Sequence, residues 1–481
     1  MRNCTCSVCH GVRYTVKNIL HIFKIYGWIL DAYIVDFFQE DLWSKLPKSW
    51  TQILEKITPE ELGLWILNES KSPKVWPLSL LALRELIKIL GIDRNPLSKT
   101  SLVCCSLEWN YHLIEHGSDE FNKTITEKEL IQGCENILVK HVKVKKRYEI
   151  DKFSEICAKC AFLSQCKCIV DTGAGMGHLA RQLTYKYNLP VICIEQAQCL
   201  SDLAKKYDNE FLYSLKKYIP NHYFQSSHHL CAKIEKENCS SQLIDTLDEI
   251  FTNKFQLKSI NNKYGLIGLH PCGDLAATLL KIYIKQDTIK FISVVGCCYM
   301  KLTVDDDDHN GYPLSEYIIN TPDHSLNYAA LEVACHAVEN YCDKMKNGQY
   351  DDLKVHAYRA LLEMILINKN GSCMKHGRVK NVKVTDKMSF VEYCKLATSK
   401  FSCDKRIVDS DIDSLKVQSS LKRWHQVVAF EAIRMMLAPL VETVVLLDRF
   451  LFLSENGLKP LLKAEFDPRR SPRNFVLISI K

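Results

Sequence analysis

The sequence predicts an α/β fold in which a doubly wound, mostly parallel sheet accompanies an N-terminal helical domain and an inserted helical lobe. Three observations lead to this class. The apolar residues Ile169 and Val170 end a buried strand that runs into a glycine-rich turn and then a helix. Further apolar strands alternate with helical segments. Two apolar segments near the C terminus, 459–466 and 474–480, are typical of a hairpin that closes such a sheet.

The predicted helices and strands follow one another along the chain. Apolar side chains recur at helical intervals from Ile19 to Ile34 and again over 78–90, which predicts helices. Strands are expected over 190–194, 264–269 and 291–295, separated by helical segments. The predicted domains are a disordered segment 1–11, a helical N-terminal domain 12–135, the sheet core 136–309, a mostly helical insertion 310–420, and the last helix with the closing hairpin over 421–481.

Composition bounds the class of protein. The chain has 481 residues, of which 47% are hydrophobic and 25% charged, as in ordinary globular proteins of two or three domains. The net charge of +7 neither requires nor opposes nucleic-acid binding. The apolar stretch 435–453 contains charged residues and a proline, which predicts a buried helix rather than a membrane span.

Cysteine is abundant, with 22 residues. Because the first ten residues lack the apolar segment of a signal peptide, we expect reduced thiols and an intracellular protein of the cytoplasm or nucleus. Cys4, Cys6 and Cys9 could bind a metal, although N-terminal disorder is the favoured interpretation.

The glycine turn predicts a cofactor pocket. Glycines here follow the spacing G-x-G-x-G, and Asp171 stands two residues before the first of them. A carboxylate there would repel a pyrophosphate but attract the ammonium group of a methionine, which favours S-adenosylmethionine over a dinucleotide. Glu195, at the end of the next strand, could accept hydrogen bonds from both ribose hydroxyls. A turn without a ligand is the alternative. The predicted cofactor-binding residues are Asp171, Gly173, Gly175, Gly177, His178 and Glu195.

Two later segments, 268–275 and 296–301, stand where neighbouring strands should end, and ligands of α/β sheets bind at such ends. His270 or Asp274 could take a proton from a nucleophile. A zinc site of Cys272, Cys297, Cys298 and His270 and a simple packing role are alternatives; we expect no metal. The predicted catalytic residues are His270, Cys272, Asp274, Cys298 and Tyr299.

Basic residues cluster in three places. The densest run, 140–149, directly precedes the predicted cofactor pocket, which allows a role towards substrate or phosphate as well as a solvated surface. Residues 375–383 and the arginines of 469–473 form similar loops, and neither has the interleaved aromatic residues of a single-strand binding surface.

The motifs together resemble the methyltransferase-like protein 25 family, which includes proteins once named for a ribosomal RNA adenine dimethylase domain. The resemblance covers nearly the whole chain except its first ten residues. It is carried by the segments 171–179, 270–275, 295–302 and 437–443, with further matches at 28–31, 46–50 and 471–474.

This resemblance implies a class I, Rossmann-like methyltransferase that uses S-adenosyl-L-methionine, and it leaves the methyl acceptor open. Adenine-methylating enzymes carry an Asn- or Asp-Pro-Pro-aromatic motif where this chain has His270-Pro-Cys-Gly, so adenine chemistry is disfavoured. Similar short motifs occur in transfer-RNA 2′-O-methyltransferases, which slightly favours RNA over protein as the acceptor. The alternative is a non-catalytic binding or scaffold protein that retains the cofactor-binding domain.

Overall fold

A computed structural model describes the chain except for short gaps. The described residues are 4–69, 74–98, 101–105, 114, 135–218, 226–234, 239–255, 263–304, 311–371, 376, 379–385, 388–402 and 407–481.

The chain forms two compact units, each made of segments that are distant in sequence. Unit 1 contains Met1–Leu20, Asp93–Leu326 and Thr443–Lys481, and unit 2 contains His21–Ile92 and Asn327–Glu442. The sequence predicts the N-terminal helices and the inserted helices as separate parts, whereas the structure groups them in unit 2. Short amphipathic helices must bury their apolar faces, and here helices of the two segments pack against each other.

The described residues of unit 1 form one sheet of eight strands. These are β1 Leu102–Val103, β2 Cys168–Thr172, β3 Val191–Glu195, β4 His228–Cys231, β5 Tyr264–Cys272, β6 Ile289–Cys297, β7 Leu461–Ala464 and β8 Phe475–Ile480. Their order across the sheet is β1-β7-β8-β6-β5-β2-β3-β4. The five neighbouring strands β6, β5, β2, β3 and β4 run parallel. The C-terminal hairpin is confirmed, because β8 pairs antiparallel with both β6 and β7.

Two strands lie where the sequence predicts none. β1 lies within the region predicted to be helical, and β4 lies within a polar stretch predicted to be loop and helix. Both are short, and both form an edge of the sheet. Their own residues carry little strand periodicity, so pairing with β7 and β3 is what makes them strands.

The order of the strands places a ligand site at β2. From β2 the chain moves outward through β3 and β4, then returns to β5 on the other side of β2. The carboxyl ends of β2 and β5 therefore border a crevice at the point where the strand order reverses, which is where open α/β sheets bind ligands.

Helices cover both the sheet and the ends of its strands. The predicted disorder of 1–11 is wrong from Ser7 onward, because a helix begins there and Cys9 and Val12 are buried. The helices of unit 1, with those that extend into unit 2, are α1 Ser7–Asp31, α6 Glu135–Leu138, α7 Val144–Leu163, α8 His178–Tyr187, α9 Gln198–Tyr218, α10 Cys239–Phe255, α11 Asp274–Lys285, α12 Glu316–Ile319 and α19 Trp424–Glu455.

The described residues of unit 2 form helices and the loops that connect them. The helix predicted over 78–90 is confirmed, and the helix predicted from Pro59 begins with a capping box between Thr58 and Glu61. The helices that lie wholly in the described part of unit 2 are α2 Leu42–Lys45, α3 Lys48–Leu54, α4 Pro59–Ile66, α5 Leu78–Leu90, α13 Tyr328–Val333, α14 Val338–Lys346, α15 Tyr350–Asn370, α16 Phe390–Ala397, α17 Asp409–Ile412 and α18 Leu415–Leu421.

Helix α19 is buried, as its composition predicts. Within unit 1, the carboxylate of Asp448 accepts hydrogen bonds from the backbone N–H groups of Leu314 and Ser315, so its charge is compensated inside the protein. Within the described part of the chain, no helix has both the length and the hydropathy needed to cross a bilayer.

Candidate functional site

The turn between β2 and α8 is built for close approach of a ligand. Gly173, Gly175 and Gly177 all have φ between 56° and 68°, a conformation that strains other residues. The N–H of Gly173 donates to the carbonyl of Ile194 on β3, at 2.8 Å, which fixes the turn to the neighbouring strand. A Cβ at Gly177 would lie 2.8 Å from the ring of His229, whereas one at Gly175 would enter open space.

Asp171 is the buried acid of this turn. It lies on β2 with only 2% of its surface exposed, and its Oδ2 atom has no hydrogen-bond partner among the described residues. Burial raises the pKa of this carboxyl group to about 7, although the nearby Lys146 opposes the rise. A buried carboxylate of this kind is costly without a cation, so its surroundings favour a positively charged ligand.

Glu195 ends β3 beside the same turn. One of its carboxylate oxygens accepts a hydrogen bond from the N–H of Gly175 and the other from the N–H of Ala197, each at 2.9 Å. These two bonds hold the carboxylate at the rim of the turn and leave further lone pairs for hydroxyl donors.

His178 opens helix α8 and reaches the same cavity. Its Nδ1 lies 3.0 Å from Arg181, whose guanidinium also binds Asp208 at 2.8 Å. Burial and then the charge of Arg181 lower the pKa of His178 to about 4, so the ring is neutral at pH 7. Its buried Nε2 has no partner among the described residues.

The glycine turn, Asp171 and His178 line a cavity of about 410 Å³, within the usual size range of small-molecule sites. Four of the six predicted cofactor-binding residues line it, namely Asp171, Gly173, Gly175 and His178, whereas Gly177 and Glu195 are not among its lining residues. Its other lining residues are His141, Val142, Lys143, Ala174, Met176, Lys146, Leu179 and Leu269.

The basic run before the core contributes one wall of this cavity. His141, Lys143 and Lys146 all line it. Burial lowers the pKa of Lys146, while the carboxylates of Glu149 and Asp171 act in the opposite direction. The sequence indicates a role for this run near the pocket, but it does not single out Lys146 or Glu149.

His270 is paired with a residue that the sequence does not connect to it. The Nε2 of His270 lies 3.1 Å from Oε2 of Glu149, and Oε1 of Glu149 accepts a 2.7 Å hydrogen bond from Ser471. Burial raises the pKa of Glu149, but the bonds from His270 and Ser471 outweigh it and bring the pKa to about 2. Burial also lowers the pKa of His270.

An ionised Glu149 only accepts hydrogen bonds, so the neutral ring of His270 donates from Nε2 and keeps Nδ1 as the nitrogen able to accept a proton. His270 has a φ of 69°, which is unusual for a residue with a side chain and typical of constrained functional positions. It directly follows Leu269 of the cavity wall.

Three thiols meet at the ends of β5 and β6. The sulfur of Cys272 lies 3.4 Å from that of Cys297 and 3.5 Å from that of Cys298. The neighbouring thiol of Cys297, and then that of Cys298, lowers the pKa of Cys272 to about 5 against the effect of burial. The structure thus brings together the cysteines that the sequence groups, and three sulfurs at this spacing could also hold a metal ion.

Asp274 and Tyr299 are occupied by contacts within unit 1. The carboxylate of Asp274 accepts bonds from the backbone N–H and the hydroxyl of Thr303, at 2.8 and 2.6 Å. Tyr299 is buried, and the guanidinium of Arg449 lies 5.6 Å from the centre of its ring. Both residues fix the loop after β6, so their predicted place among the reacting groups gains no geometric support.

The cavity fits S-adenosylmethionine in three respects. It offers Oδ2 of Asp171 and Nε2 of His178 as buried polar atoms without partners among the described residues. Open space lies beside Gly175, and a side chain at this position would project into that space. The acid at the rim, Glu195, is held in place by backbone N–H groups.

Comparison with known proteins agrees with this geometry. Residues 145–305 match the family model of a methyltransferase domain. The chain is 29% identical over 231 residues to probable methyltransferase-like protein 25 of Mus musculus, and 27% identical over 280 residues to that of Homo sapiens. These matches cover 45% and 55% of this chain, but only 37% and 45% of the mouse and human proteins.

Among solved structures, the plantazolicin methyltransferase BpumL in complex with SAH is similar at 11% identity over 45% of this chain and 74% of that chain. Its TM-score of 0.19 is too low to support an argument about shared detail.

The chain thus matches a methyltransferase domain over residues 145–305 and is similar, over about half of its length, to methyltransferase-like protein 25, as the resemblance drawn from its motifs predicts. Its sheet has the α/β Rossmann-like fold of that class.

Proposed function

We propose that the protein is a methyltransferase that uses S-adenosylmethionine bound in the cavity beside β2. The observation that carries the proposal is the buried Oδ2 of Asp171, which has no hydrogen-bond partner among the described residues and lies in a cavity lined by the glycine turn. S-adenosylmethionine supplies a methyl group on a positively charged sulfonium and also carries an ammonium group. Asp171 would bind that ammonium group, because a buried carboxylate gains most from a cation.

Glu195 would hold the ribose of the cofactor. Its carboxylate is oriented by Gly175 and Ala197, so two hydroxyl groups can donate to it without a further loss of side-chain freedom. The glycine turn lets the backbone pass close to the ligand, as the space beside Gly175 allows.

The acceptor is proposed to be an anionic molecule, with RNA favoured over protein. The cavity wall contributed by the basic run carries His141, Lys143 and Lys146, which suits a phosphate-bearing substrate. Tyr148 is the one Phe, Trp or Tyr residue of the run 140–149, so the binding would rest mainly on charge rather than on base stacking.

His270 is the base that this arrangement favours. Glu149 orients its ring, and Nδ1 remains able to take the proton that the acceptor loses when its oxygen or nitrogen bonds to the methyl carbon. Cys272 and Cys298 stand beside the same strand ends and would shape the acceptor pocket.

Titration calorimetry with S-adenosylmethionine tests the cofactor site. We expect saturable binding, weakened roughly 100-fold or more by Glu195→Ala, because two charge-assisted hydrogen bonds are lost. Asp287→Ala is the matched control, since it removes the same charge from a side chain that is fully exposed. Absence of saturable heat with the folded wild-type protein would sink the proposal.

A second measurement separates catalysis from binding. Purified protein is incubated with methyl-labelled cofactor and either total RNA or total protein, and the label is followed into each pool. Label in RNA supports the acceptor proposed here, and label in protein overturns that choice. Cofactor binding without transfer to either pool would favour the scaffold alternative.

A further inference from the structure

Four cysteines converge at the start of helix α1, away from the strand-end thiols described above. Cys4, Cys6 and Cys9 come from the first residues of the chain, and Cys104 follows strand β1. Their four sulfur atoms all lie within 4.8 Å of one another. Cys9 and Cys104 are buried, while Cys4 and Cys6 are half-buried.

The spacing of these sulfurs matches a single tetrahedral ion. The sulfur of Cys104 lies 3.6 Å from that of Cys4 and 3.6 Å from that of Cys9. A zinc–sulfur bond of about 2.3 Å places the sulfurs of a tetrahedral site roughly 3.8 Å apart. A four-iron cluster is larger than one ion and would hold its cysteine sulfurs further apart.

The backbone is arranged to hold the four residues in this geometry. The N–H of Cys9 donates to the sulfur of Cys6 at 3.4 Å, so Cys6 caps the first turn of α1 and acts as an acceptor. The N–H of Cys104 donates to the carbonyl of Pro460 at 3.0 Å, which anchors Cys104 to the edge of the sheet. Cys105 then has a φ of 51°, and this left-handed residue turns the chain away after Cys104.

A cation stands close to the cluster. Nη1 of Arg13 donates to the carbonyl of Cys4 at 2.9 Å, and its buried Nη2 has no hydrogen-bond partner among the described residues. Arg13 is half-buried, and its charge already acts on the carboxyl group of Glu455. Four thiolates around a divalent ion carry a net charge of about −2, so a metal site here would add a second anionic group near this guanidinium.

We propose that Cys4, Cys6, Cys9 and Cys104 bind one zinc ion that fastens the start of helix α1 to the edge of the sheet at β1. The four thiols give up their protons to solvent as the zinc–sulfur bonds form, and no oxidant or reductant takes part. The site is structural, since four protein ligands leave no open position for a substrate.

Metal analysis of the purified full-length protein tests this site. After exchange into metal-free buffer we expect about one equivalent of tightly bound zinc per chain. Cys6→Ser, at a half-buried position, should remove that zinc or weaken its binding at least roughly 100-fold in competition with a chromogenic chelator. Cys105→Ser is the matched control and should keep the zinc, although its sulfur lies 3.6 Å from that of Cys4.

Two further measurements show whether the bound zinc belongs to these four cysteines. A Cys272→Ser, Cys298→Ser double variant should retain the equivalent, because those thiols belong to the strand ends. Replacement of zinc by cobalt in the wild-type protein should give the strong visible bands of tetrahedral thiolate coordination, which does not depend on any variant folding.

Several results would overturn the assignment. The first is a folded wild-type protein that binds no zinc or binds iron in its place. The second is a disulfide between any two of the four cysteines in protein purified under reducing conditions. The third is a loss of zinc from the strand-end double variant while Cys6→Ser keeps it.

Discussion

Two acids at the carboxyl ends of the strands, Asp171 and Asp274, differ in whether their carboxylate oxygens have hydrogen-bond partners. At β2 and β3, Asp171 keeps a buried carboxylate oxygen without a partner among the described residues, beside a cavity. At β5 and β6, Asp274 gives both carboxylate oxygens to Thr303. Each acid lies near the end of a buried strand and within two residues of a glycine, and the sequence predicts a role in the site for both, Asp171 towards the cofactor and Asp274 among the reacting groups.

The difference separates a binding site from a scaffold. An unsatisfied buried carboxylate destabilises the ligand-free protein, and because Lys146 offsets this cost only in part, a bound cation compensates it further. A carboxylate that accepts two hydrogen bonds from one threonine stabilises the loop that carries it. Removing Asp171 and removing Asp274 should therefore affect different measurements.

Of the changes that test this comparison of the two acids, Asp171→Ala should have the largest effect, and the effect should be on cofactor affinity. Loss of a charge-assisted bond to the ammonium group should weaken S-adenosylmethionine binding by roughly 30- to 100-fold in calorimetry. Thermal unfolding of the ligand-free variant should occur at or above the wild-type temperature, because an unpaired buried charge is removed. A variant that binds normally would remove Asp171 from the site and with it the contrast between the two acids.

Asp274→Ala should show the opposite pattern. The free energy of unfolding should fall by about 1–3 kcal/mol in denaturant titrations, since the N–H and the hydroxyl of Thr303 both lose their acceptor. Cofactor affinity should stay within about threefold of wild type. A folded variant with normal stability and lost methyl transfer would return Asp274 to the reacting groups, as the sequence predicts.

A smaller effect is expected from pH. The pKa of Asp171 is raised to about 7 in the ligand-free protein, mainly by burial. Only the ionised carboxylate pairs with a cation, so affinity for S-adenosylmethionine should rise roughly five- to tenfold between about pH 6 and about pH 7.5. Asp171→Asn should abolish this dependence. A wild-type affinity that is flat over this range would contradict the assignment.

The same shift has a consequence for stability. Because the pKa of Asp171 in the folded protein lies above the ordinary value of 3.8, the folded state binds more protons than the unfolded state between the two values. The contribution of this group to stability is therefore fully present at low pH and is lost as the pH rises towards 7. Asp171→Asn should remove that part of the pH dependence of unfolding.

The fold was predictable where elements carry their own periodicity. The glycine turn after β2, the alternating strands and the C-terminal hairpin all follow from local patterns of apolar residues. The edge strands β1 and β4 were not predictable, because they are short and become strands only by pairing. The N terminus was taken for disorder, since nothing local indicates that Cys104, nearly a hundred residues away, lies against Cys4 and Cys9.

The candidate site divides in the same way. The acid, the glycines and Glu195 stand at fixed distances along one strand–turn–helix–strand segment, so their meeting could be predicted from spacing. The partner of His270 could not, because Glu149 lies 121 residues earlier on a helix that has no strand-end signal. The partner of Tyr299 was not predictable either: the sequence places this residue among the reacting groups, whereas in the structure it is buried against Arg449.

By itself the sequence determined the order of strands and helices, the glycine turn and the group of acids and thiols at the strand ends. These properties depend on backbone preference and on apolar periodicity, which act over a few residues. Only the tertiary structure decided which polar groups find partners. Thr303 occupies Asp274, and Glu149 orients His270, while Oδ2 of Asp171 keeps none among the described residues. That outcome depends on packing between distant segments, and it is what distinguishes the acid that can bind a cation from the acid that holds a loop.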